Sequence, residues 1–216
     1  MTGDALVERV QRVIDDSSFD EDEILEYINE GLGIVSTLVD LPDLVEADTV
    51  TTSLTEDYVD LPASYQRKVT RVESVTNGVN ISEPGRTTEY LKFRRRHPEA
   101  EDGAQVTDIA VRSGQLFYFP TPEVAEVLQV TFMKDPTDIT ASTAPDCIPA
   151  KLQASLLVSY AAAQIFELIE DGVEGPQVNA TRQNNKFETA LAVLAKHVGN
   201  PDSEPVFTAD DGGFDE

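Results

Sequence analysis

Residues 148–169, IPAKLQASLLVSYAAAQIFELI, constrain the fold most, because the rest of the chain has to cover them. From position 156 to 169 only Ser159, Gln164 and Glu167 are polar, and at roughly 100° per residue they fall within an arc of about 140°. A helix that is apolar around most of its circumference is buried on most of its sides. The pattern therefore predicts a central core helix. A membrane span is not expected, since it needs about 20 apolar residues and this run is shorter and carries Glu167.

Local signals predict where this helix begins and ends. Pro149 suits the first turn, where a missing N–H costs no hydrogen bond, and Asp146 just before it is a candidate N-cap. Gly172 stands where a left-handed C-terminal residue is favoured. Residues 161–163 are all Ala, and their small side chains would let another helix approach closely.

The charge of the chain limits its partners. Asp and Glu number 40 against 16 Lys and Arg, which gives a net charge of −24 and an isoelectric point near 4.2. Such a surface repels nucleic acid and anionic membranes at long range. It suits a DNA mimic, the wall of a channel that DNA slides past, or a high-salt cytoplasm. Scarce Lys beside so many carboxylates favours a halophilic source, because in molar salt the Debye length is only about 3 Å.

No motif predicts catalysis, a cofactor or a metal. The nucleotide-binding, nucleophile-elbow and zinc-protease patterns are missing from the sequence. A single cysteine, Cys147, gives no disulfide framework, and two histidines, His97 and His197, leave little for a zinc centre. The acidic run at 15–23 fails as a calcium loop, since Tyr27 stands where a Glu ligand is needed. We therefore predict a protein that is not an enzyme. Residues 1–10 lack an apolar core, so no signal peptide is expected.

Two amphipathic helices are predicted near residues 4–15 and 20–39. The first follows from apolar residues at helical spacing: Leu6, Val7, Val10, Val13 and Ile14. The second begins with a capping box, in which Asp20 caps the helix and Glu23 completes the pair. Gly31 and Gly33 within it are expected to allow close packing against the alanines at 161–163.

From about residue 41 to 145 the pattern changes to that of strands. Apolar and polar residues alternate at 50–54 and again at 127–133. Asn77-Gly78 and Ser113-Gly114 each separate two strand-like runs, which predicts two hairpins. We expect a small antiparallel β-element inserted between two helical halves.

The segment at 87–97, TTEYLKFRRRH, predicts a short helix ended by Pro98. It carries the basic cluster Arg94, Arg95 and Arg96. One hypothesis is that the cluster contacts phosphate or an acidic partner. The other is that it satisfies local carboxylates and the C-terminal helix dipole.

A last helix is predicted near 179–198, followed by a segment, 199–216, that does not fold alone. Its sizeable apolar residues are Val206, Phe207 and Phe214, among six acids and no basic residue. No helical face unites these three. We therefore expect an extended segment that is disordered in the free protein and ordered against a partner's groove or sheet edge. A solubilising tail that contacts nothing is the alternative.

Together these patterns predict an α+β fold: mainly a helical bundle with an inserted antiparallel β-hairpin region and an extended C-terminal tail. The expected parts are the N-terminal helices at 1–45, the β-rich insertion at 46–146, the C-terminal helices at 147–198 and the acidic tail at 199–216.

Four segments follow one another along the chain: YVDLP at 58–62, LFYFPTP at 116–122, FMKDP at 132–136 and IPAKL at 148–152. The last of them begins the predicted core helix. With the two N-terminal helices before them, this order resembles the head–tail adaptor, or connector, proteins of tailed viruses. The likeness covers roughly residues 5–198. The Asp and Glu excess is outside the usual pattern and would suit a virus of a halophilic archaeon.

The resemblance implies a structural protein of the virion neck, assembled in the host cytoplasm. It implies a homo-oligomeric ring, usually twelvefold, between the portal protein and a tail or stopper protein, through which viral DNA passes without specific binding. No membrane is involved. The resemblance also implies a C-terminal extension that docks on the portal, and Val206, Phe207 and Phe214 are the candidate residues for this contact. From the residue pattern alone, Arg94, Arg95 and Arg96 are a candidate interface cluster. The alternative function is an acidic, DNA-mimic-like module that sequesters a basic partner protein.

Overall fold

The computed structural model describes residues 1–16, 18–82, 89–99, 101–170 and 177–199. The chain forms two compact units. The first, here called the helical unit, comprises Met1–Pro42 and the chain from Thr137 onward. The second, the strand unit, is Asp43–Pro136.

The helical unit is built around the apolar helix that the sequence predicts. Its helices are α1 Gly3–Ile14, α2 Glu21–Leu38, α4 Ala150–Gln153, a π-helical segment Ala154–Val158, α5 Ser159–Glu170 and α6 Val178–His197. The segments from Ala150 to Glu170 run as one helix, here called the long helix. It packs against α1, α2 and α6. Leu156, Leu157 and the three alanines at 161–163 have no exposed surface, so this helix forms the core of the unit.

The long helix is also long and apolar enough to cross a membrane, judged by length and composition alone. In its most apolar stretch of 18 residues, 56% is buried inside the protein. The core helix of a water-soluble protein passes the same test, so this property does not indicate a span.

One helix end is as predicted and another is not. The carboxylate of Asp20 accepts a hydrogen bond from the N–H of Glu23 at 2.8 Å and caps α2. Asp146 does not cap the long helix, because Pro149, at φ −52° and ψ 130°, occupies the N-cap position and has no side-chain donor or acceptor. The entry loop is held instead by Gln153, whose amide donates to the carbonyl of Pro145 at 3.1 Å.

Gly31 allows α2 to approach the long helix closely. A Cβ atom at this position would lie 2.8 Å from Cδ1 of Tyr160. The close contact is therefore with Tyr160 and not with the neighbouring alanines. A Cβ on Gly33 would have no neighbour within 4 Å, so the packing role predicted for Gly33 is wrong.

The described residues of the strand unit form three sheets. Its strands are β1 Val45–Thr51, β2 Tyr58–Asp60, β3 Tyr65–Ser74, β4 Val79–Ser82, β5 Asp102–Gly103, β6 Asp108–Arg112, β7 Gln115–Phe119, β8 Thr121–Pro122 and β9 Val127–Lys134. The sheet orders are β1-β9-β3-β4, β2-β7-β6 and the two-stranded β5-β8. A short helix, α3 Tyr90–Arg96, lies between β4 and β5 in the chain and contacts β6.

Both predicted hairpins are present. The strands β3 and β4 pair antiparallel across a turn that contains Gly78, at φ 66°. The strands β6 and β7 pair across Ser113 and Gly114, at φ 52° and 77°. Two successive left-handed residues are what a tight two-residue hairpin requires.

Strand β7 is buried on both faces, which explains why its sequence LFYF does not alternate. Leu116 and Tyr118 point into a core shared with β1, β3, β6 and β9. Phe117 points the other way, into a second cluster with Phe93 of α3 and Ala110. A strand that is covered on both faces shows a continuous apolar run.

The predicted fold class is wrong, because the chain is not mainly a helical bundle. Asp43–Pro136 form a compact unit in which the described residues build three sheets, one of them four-stranded, and a hydrophobic core of their own. The sequence patterns in this region are local and indicate individual hairpins, so they predict only a small inserted hairpin element. Packing between the sheets, which turns the hairpins into a unit, depends on residues far apart in the sequence.

Candidate interaction surfaces

Helix α3 positions the basic cluster on the strand unit. Phe93 is 1% exposed and anchors the helix in the small cluster beside β7. The helix ends at Arg96, and Pro98 follows two residues later, as the sequence predicts. Since Phe93 faces inward, the three arginines that follow it point in different directions around the helix.

Arg94 is held by neighbours within the strand unit. Its guanidinium donates to the carboxylate of Asp57 at 2.6 Å and to the hydroxyl of Tyr90 at 3.0 Å. It also lies 5.2 Å from the centre of the Phe117 ring. The hydrogen bond from Arg94 lowers the pKa of the Tyr90 phenol from its ordinary value. Arg94 is therefore part of the packing between α3 and the sheet.

Arg96 and His97 share a second carboxylate, Asp108. The Nε2 atom of His97 lies 3.1 Å from Oδ2 of Asp108, and an Arg96 nitrogen donates to the same oxygen at 3.5 Å. The His97 ring stacks on Phe119 with centroids 3.7 Å apart. The crevice that Arg94 and His97 line with Tyr118 has no room for a water molecule, so it is not a phosphate pocket.

Arg95 is the member of the cluster that differs. It is exposed, and among the residues that the structure describes it forms no ion pair. The structure thus favours the local, structural reading of the cluster for Arg94 and Arg96. A charge available to a partner remains at Arg95.

The helical unit carries an apolar groove that the sequence analysis did not identify. A cavity of about 710 Å³ is lined by Val13 of α1, Leu152 and Val158 of the long helix, and Ala190 and Val193 of α6. A second cavity of about 540 Å³ shares Leu152 and Val193 with the first. We call these two cavities together the α6 groove.

Two of the valines that line this groove are partly exposed. Val13 is 38% exposed and Val193 is 48% exposed. The sequence places Val13 in the apolar stripe of the first helix, and in the structure this part of the stripe is only partly covered. The apolar stripe of α1 is wider than the surface the long helix covers. The width of the α1 stripe is visible in the sequence and could have indicated an uncovered apolar surface. It does not indicate which residue of the stripe is left uncovered.

Several predicted features lie outside the described residues. They are the anchors Val206, Phe207 and Phe214, the helix-ending Gly172 and the first residues of the segment at 87–97. No group of three or more His, Cys, Asp or Glu side chains is placed to hold a metal ion within the described part of the chain.

Comparison with known proteins identifies one family. A family model described as SU10 adaptor protein matches residues 1–207, which is nearly the whole sequence. The match includes Val206 and Phe207 and ends before Phe214. No curated protein matches the chain.

Proposed function

The chain belongs to the SU10 adaptor protein family, and we propose on this basis that it is the head–tail adaptor of a tailed virus, located at the neck of the virion. The family is structural and not enzymatic. The match over residues 1–207 carries the proposal, because it spans both units and not one shared fragment.

We propose a homo-oligomeric ring as the working form, most simply of twelve copies. The ring would contact the portal protein on one side and a tail or stopper protein on the other. Viral DNA would pass through without specific binding, since affinity for DNA comes from Lys and Arg that neutralise phosphates. A net charge of −24 supports a surface along which DNA does not stick.

The acidity also supports a virus of a halophilic archaeon as the source. In molar salt self-repulsion between the carboxylates is screened within about 3 Å. Folding and ring assembly should then depend on salt. Equal stability by circular dichroism and equal mass by sedimentation, in dilute and in molar salt, would contradict the halophilic part of the proposal.

Two surfaces are proposed for the partners. Val206, Phe207 and Phe214 would bind the portal in the assembled particle, because isolated apolar anchors on an acidic segment suit binding in pockets. Arg95 is proposed to contact an acidic neighbour, either a second copy or the tail-side protein. Arg94 and Arg96 would support it by fixing α3.

The test is assembly with the portal protein of the same virus. The purified full chain is examined in molar salt by native mass spectrometry and electron microscopy, with and without portal rings. A ring that binds the portal is the expected result. A monomer that does not bind the portal but binds a basic DNA-processing protein would contradict the adaptor function. It would support the alternative, an acidic module that sequesters a basic partner.

The anchors are tested by the substitutions Phe207→Ala and Val206→Ala in the full chain. Each should weaken portal binding, because a buried Phe or Val side chain contributes about 1.5–3 kcal/mol. The exposed Val178→Ala is a control outside the tail. Unchanged portal affinity in both tail variants would show that these side chains do not bind the portal.

A further inference from the structure

The α6 groove is an apolar surface whose lining has an unusual charge. Asp and Glu make up 40 of 216 residues, yet among the residues that the structure describes neither cavity of the groove is lined by one. The charged residues that do line it are Lys186 and Lys151, two of only six lysines in the chain. His197 lies at one end. The groove therefore suits a ligand that is apolar and negatively charged.

The segment 200–216 of this same chain has that composition. Val206 and Phe207 are adjacent apolar residues flanked by the acids Asp202, Glu204 and Asp210. It contains no Lys or Arg that would conflict with the lysines of the groove. A ligand formed by the chain itself is also present at a high effective concentration.

The segment begins where the groove ends. Helix α6 lines the groove from Gln183 to His197, and the described chain ends two residues later, at Gly199. Gly199 has φ 67°, and its N–H donates to the carbonyl of Lys196 at 3.4 Å. A left-handed glycine at this position turns the chain back from the helix axis.

The distances allow the segment to cover the whole groove. Phe207 is eight residues beyond Gly199, and an extended chain of eight residues reaches about 26–29 Å. The fourteen residue-to-residue steps from His197 back to Gln183 span about 21 Å along the helix axis. Val206 and Phe207 can therefore reach any point along the groove.

We propose that in the free protein residues 200–216 fold back onto their own subunit and place Val206 and Phe207 in the α6 groove, with the flanking acids near Lys151 and Lys186. The inference rests on the groove and the composition of the segment and is independent of the proposed function. It differs from the sequence expectation of a free tail, because the sequence alone does not reveal the groove. If the adaptor role holds, the portal competes with the groove for the same anchors.

The first test measures access to the groove in the full chain. Val193→Cys is introduced with Cys147→Ser, and its rate of labelling by a maleimide is compared with and without Phe207→Asp. If the tail is docked in about 90% of the molecules, labelling at position 193 is about tenfold slower than in an open groove. Phe207→Asp should therefore raise the labelling rate about tenfold. The matched control is Val178→Cys, also on α6, exposed and outside the groove, which should label equally in both backgrounds. A Val193→Cys rate that does not respond to Phe207→Asp overturns the proposal.

The second test locates the segment directly. The full chain with Val193→Cys, Phe207→Cys and Cys147→Ser is oxidised at low protein concentration and separated under non-reducing conditions. An intramolecular disulfide is expected, and the pair Val178→Cys with Phe207→Cys should form none. A disulfide between two copies would assign the groove to a neighbour's tail, and an absence of both products would leave the groove without this occupant. Either result overturns the proposal.

Discussion

The helical unit and the strand unit fill their interiors with different chemistry. The core helix of the helical unit buries aliphatic side chains and alanines, together with the uncharged polar residues Gln153 and Ser159. The strand unit buries a carboxylate as well. Glu126 is 2% exposed and is the only Asp or Glu that is buried among the described residues. It accepts hydrogen bonds from the hydroxyl of Ser74 and the N–H of Val106, both at 2.8 Å.

A phenol has a similar role in the strand unit. The hydroxyl of Tyr118 accepts a hydrogen bond from the N–H of Ser53 at 2.7 Å and donates to the carbonyl of Glu56 at 2.9 Å. These contacts fix the connection between β1 and β2 to strand β7. Side chains therefore satisfy main-chain groups that no strand partner reaches.

The difference follows from where each unit places its main-chain polar groups. A helix satisfies its N–H and C=O groups internally, except at its ends. Its surface can then be apolar without leaving a polar group unpaired, as the α6 groove is. Sheets joined by loops contain buried N–H and C=O groups that need partners, and an unpaired one is costly. The strand unit consequently buries a carboxylate and a phenol against main-chain groups of its loops, and the helical unit leaves an apolar groove beside α6.

The largest expected effect comes from adding a charge to the apolar interior of the helical unit. Leu156→Asp places a carboxylate at a fully buried position. It should lower the free energy of unfolding by more than about 4 kcal/mol, since the charge has no partner there. Loss of the cooperative melting transition, followed by circular dichroism, is the measurement. Leu168→Asp makes the same change at a position that is 55% exposed and should melt almost normally. A normal transition in Leu156→Asp would contradict the buried position.

The complementary change removes the charge from the strand unit. Glu126→Ala leaves the Ser74 hydroxyl and the Val106 N–H without their acceptor. Each unsatisfied buried donor costs about 1–3 kcal/mol, so we expect a loss of about 3 kcal/mol in denaturant unfolding. Glu126→Gln keeps one carbonyl oxygen and should lose less. Glu123→Ala, at an exposed position, is the control. If both alanine variants unfold at the same denaturant concentration, Glu126 does not stabilise the unit.

The third prediction concerns alkaline pH. Burial raises the pKa of Tyr118 above its ordinary value near 10, and burial also raises that of Tyr160 in the helical unit. A raised pKa in the folded state means that the stabilisation is complete below pH 10 and is lost as the pH rises above it. Tyr118→Phe should cost about 1–2 kcal/mol at neutral pH, because it removes the hydrogen bonds to Ser53 and Glu56.

Above pH 10 the difference in stability between Tyr118→Phe and the unaltered protein should become smaller. The Tyr118→Phe variant no longer has this phenol to ionise, so its stability should fall less steeply with pH than that of the unaltered protein. Tyr160→Phe should flatten the same curve through the helical unit. Denaturant unfolding across the alkaline range measures both slopes. Slopes that match the unaltered protein would show that these phenols ionise as easily when folded as when unfolded.

The sequence predicted elements better than it predicted packing. The spacing of Leu6, Val10 and Ile14 predicted α1, and Asn77-Gly78 and Ser113-Gly114 predicted the hairpins, because these signals are local. The π-helical segment Ala154–Val158 was not predicted, since nothing in an apolar helix pattern specifies one extra residue in a turn. The fold class was wrong for a related reason, because sheet-to-sheet packing joins residues that are distant in the chain.

Candidate sites were harder to predict than elements. Glu126 could not be singled out among 40 acidic residues, since its role comes from the Ser74 and Val106 groups that meet it. The basic cluster was visible in the sequence. The carboxylates that neutralise it are Asp57, 37 positions from Arg94, and Asp108, 12 positions from Arg96, and no local pattern pairs them with these arginines. Only the structure separates Arg94 and Arg96 from Arg95.

The smallest expected effect is within this cluster. Arg94→Ala removes the ion pair with Asp57 and the contact with the Phe117 ring, both partly exposed. Solvent screening limits such interactions, so the loss should be about 1 kcal/mol. Arg94→Lys keeps the charge but not the planar fork that reaches both Asp57 and Tyr90, so it should recover only part of this loss. Arg95→Ala should leave stability within about 0.5 kcal/mol, as exposed substitutions do. Thermal unfolding of the three variants ranks them. A larger loss in Arg95→Ala than in Arg94→Ala would mean that Arg95 stabilises the fold, and it would remove the reason to propose Arg95 as a partner contact.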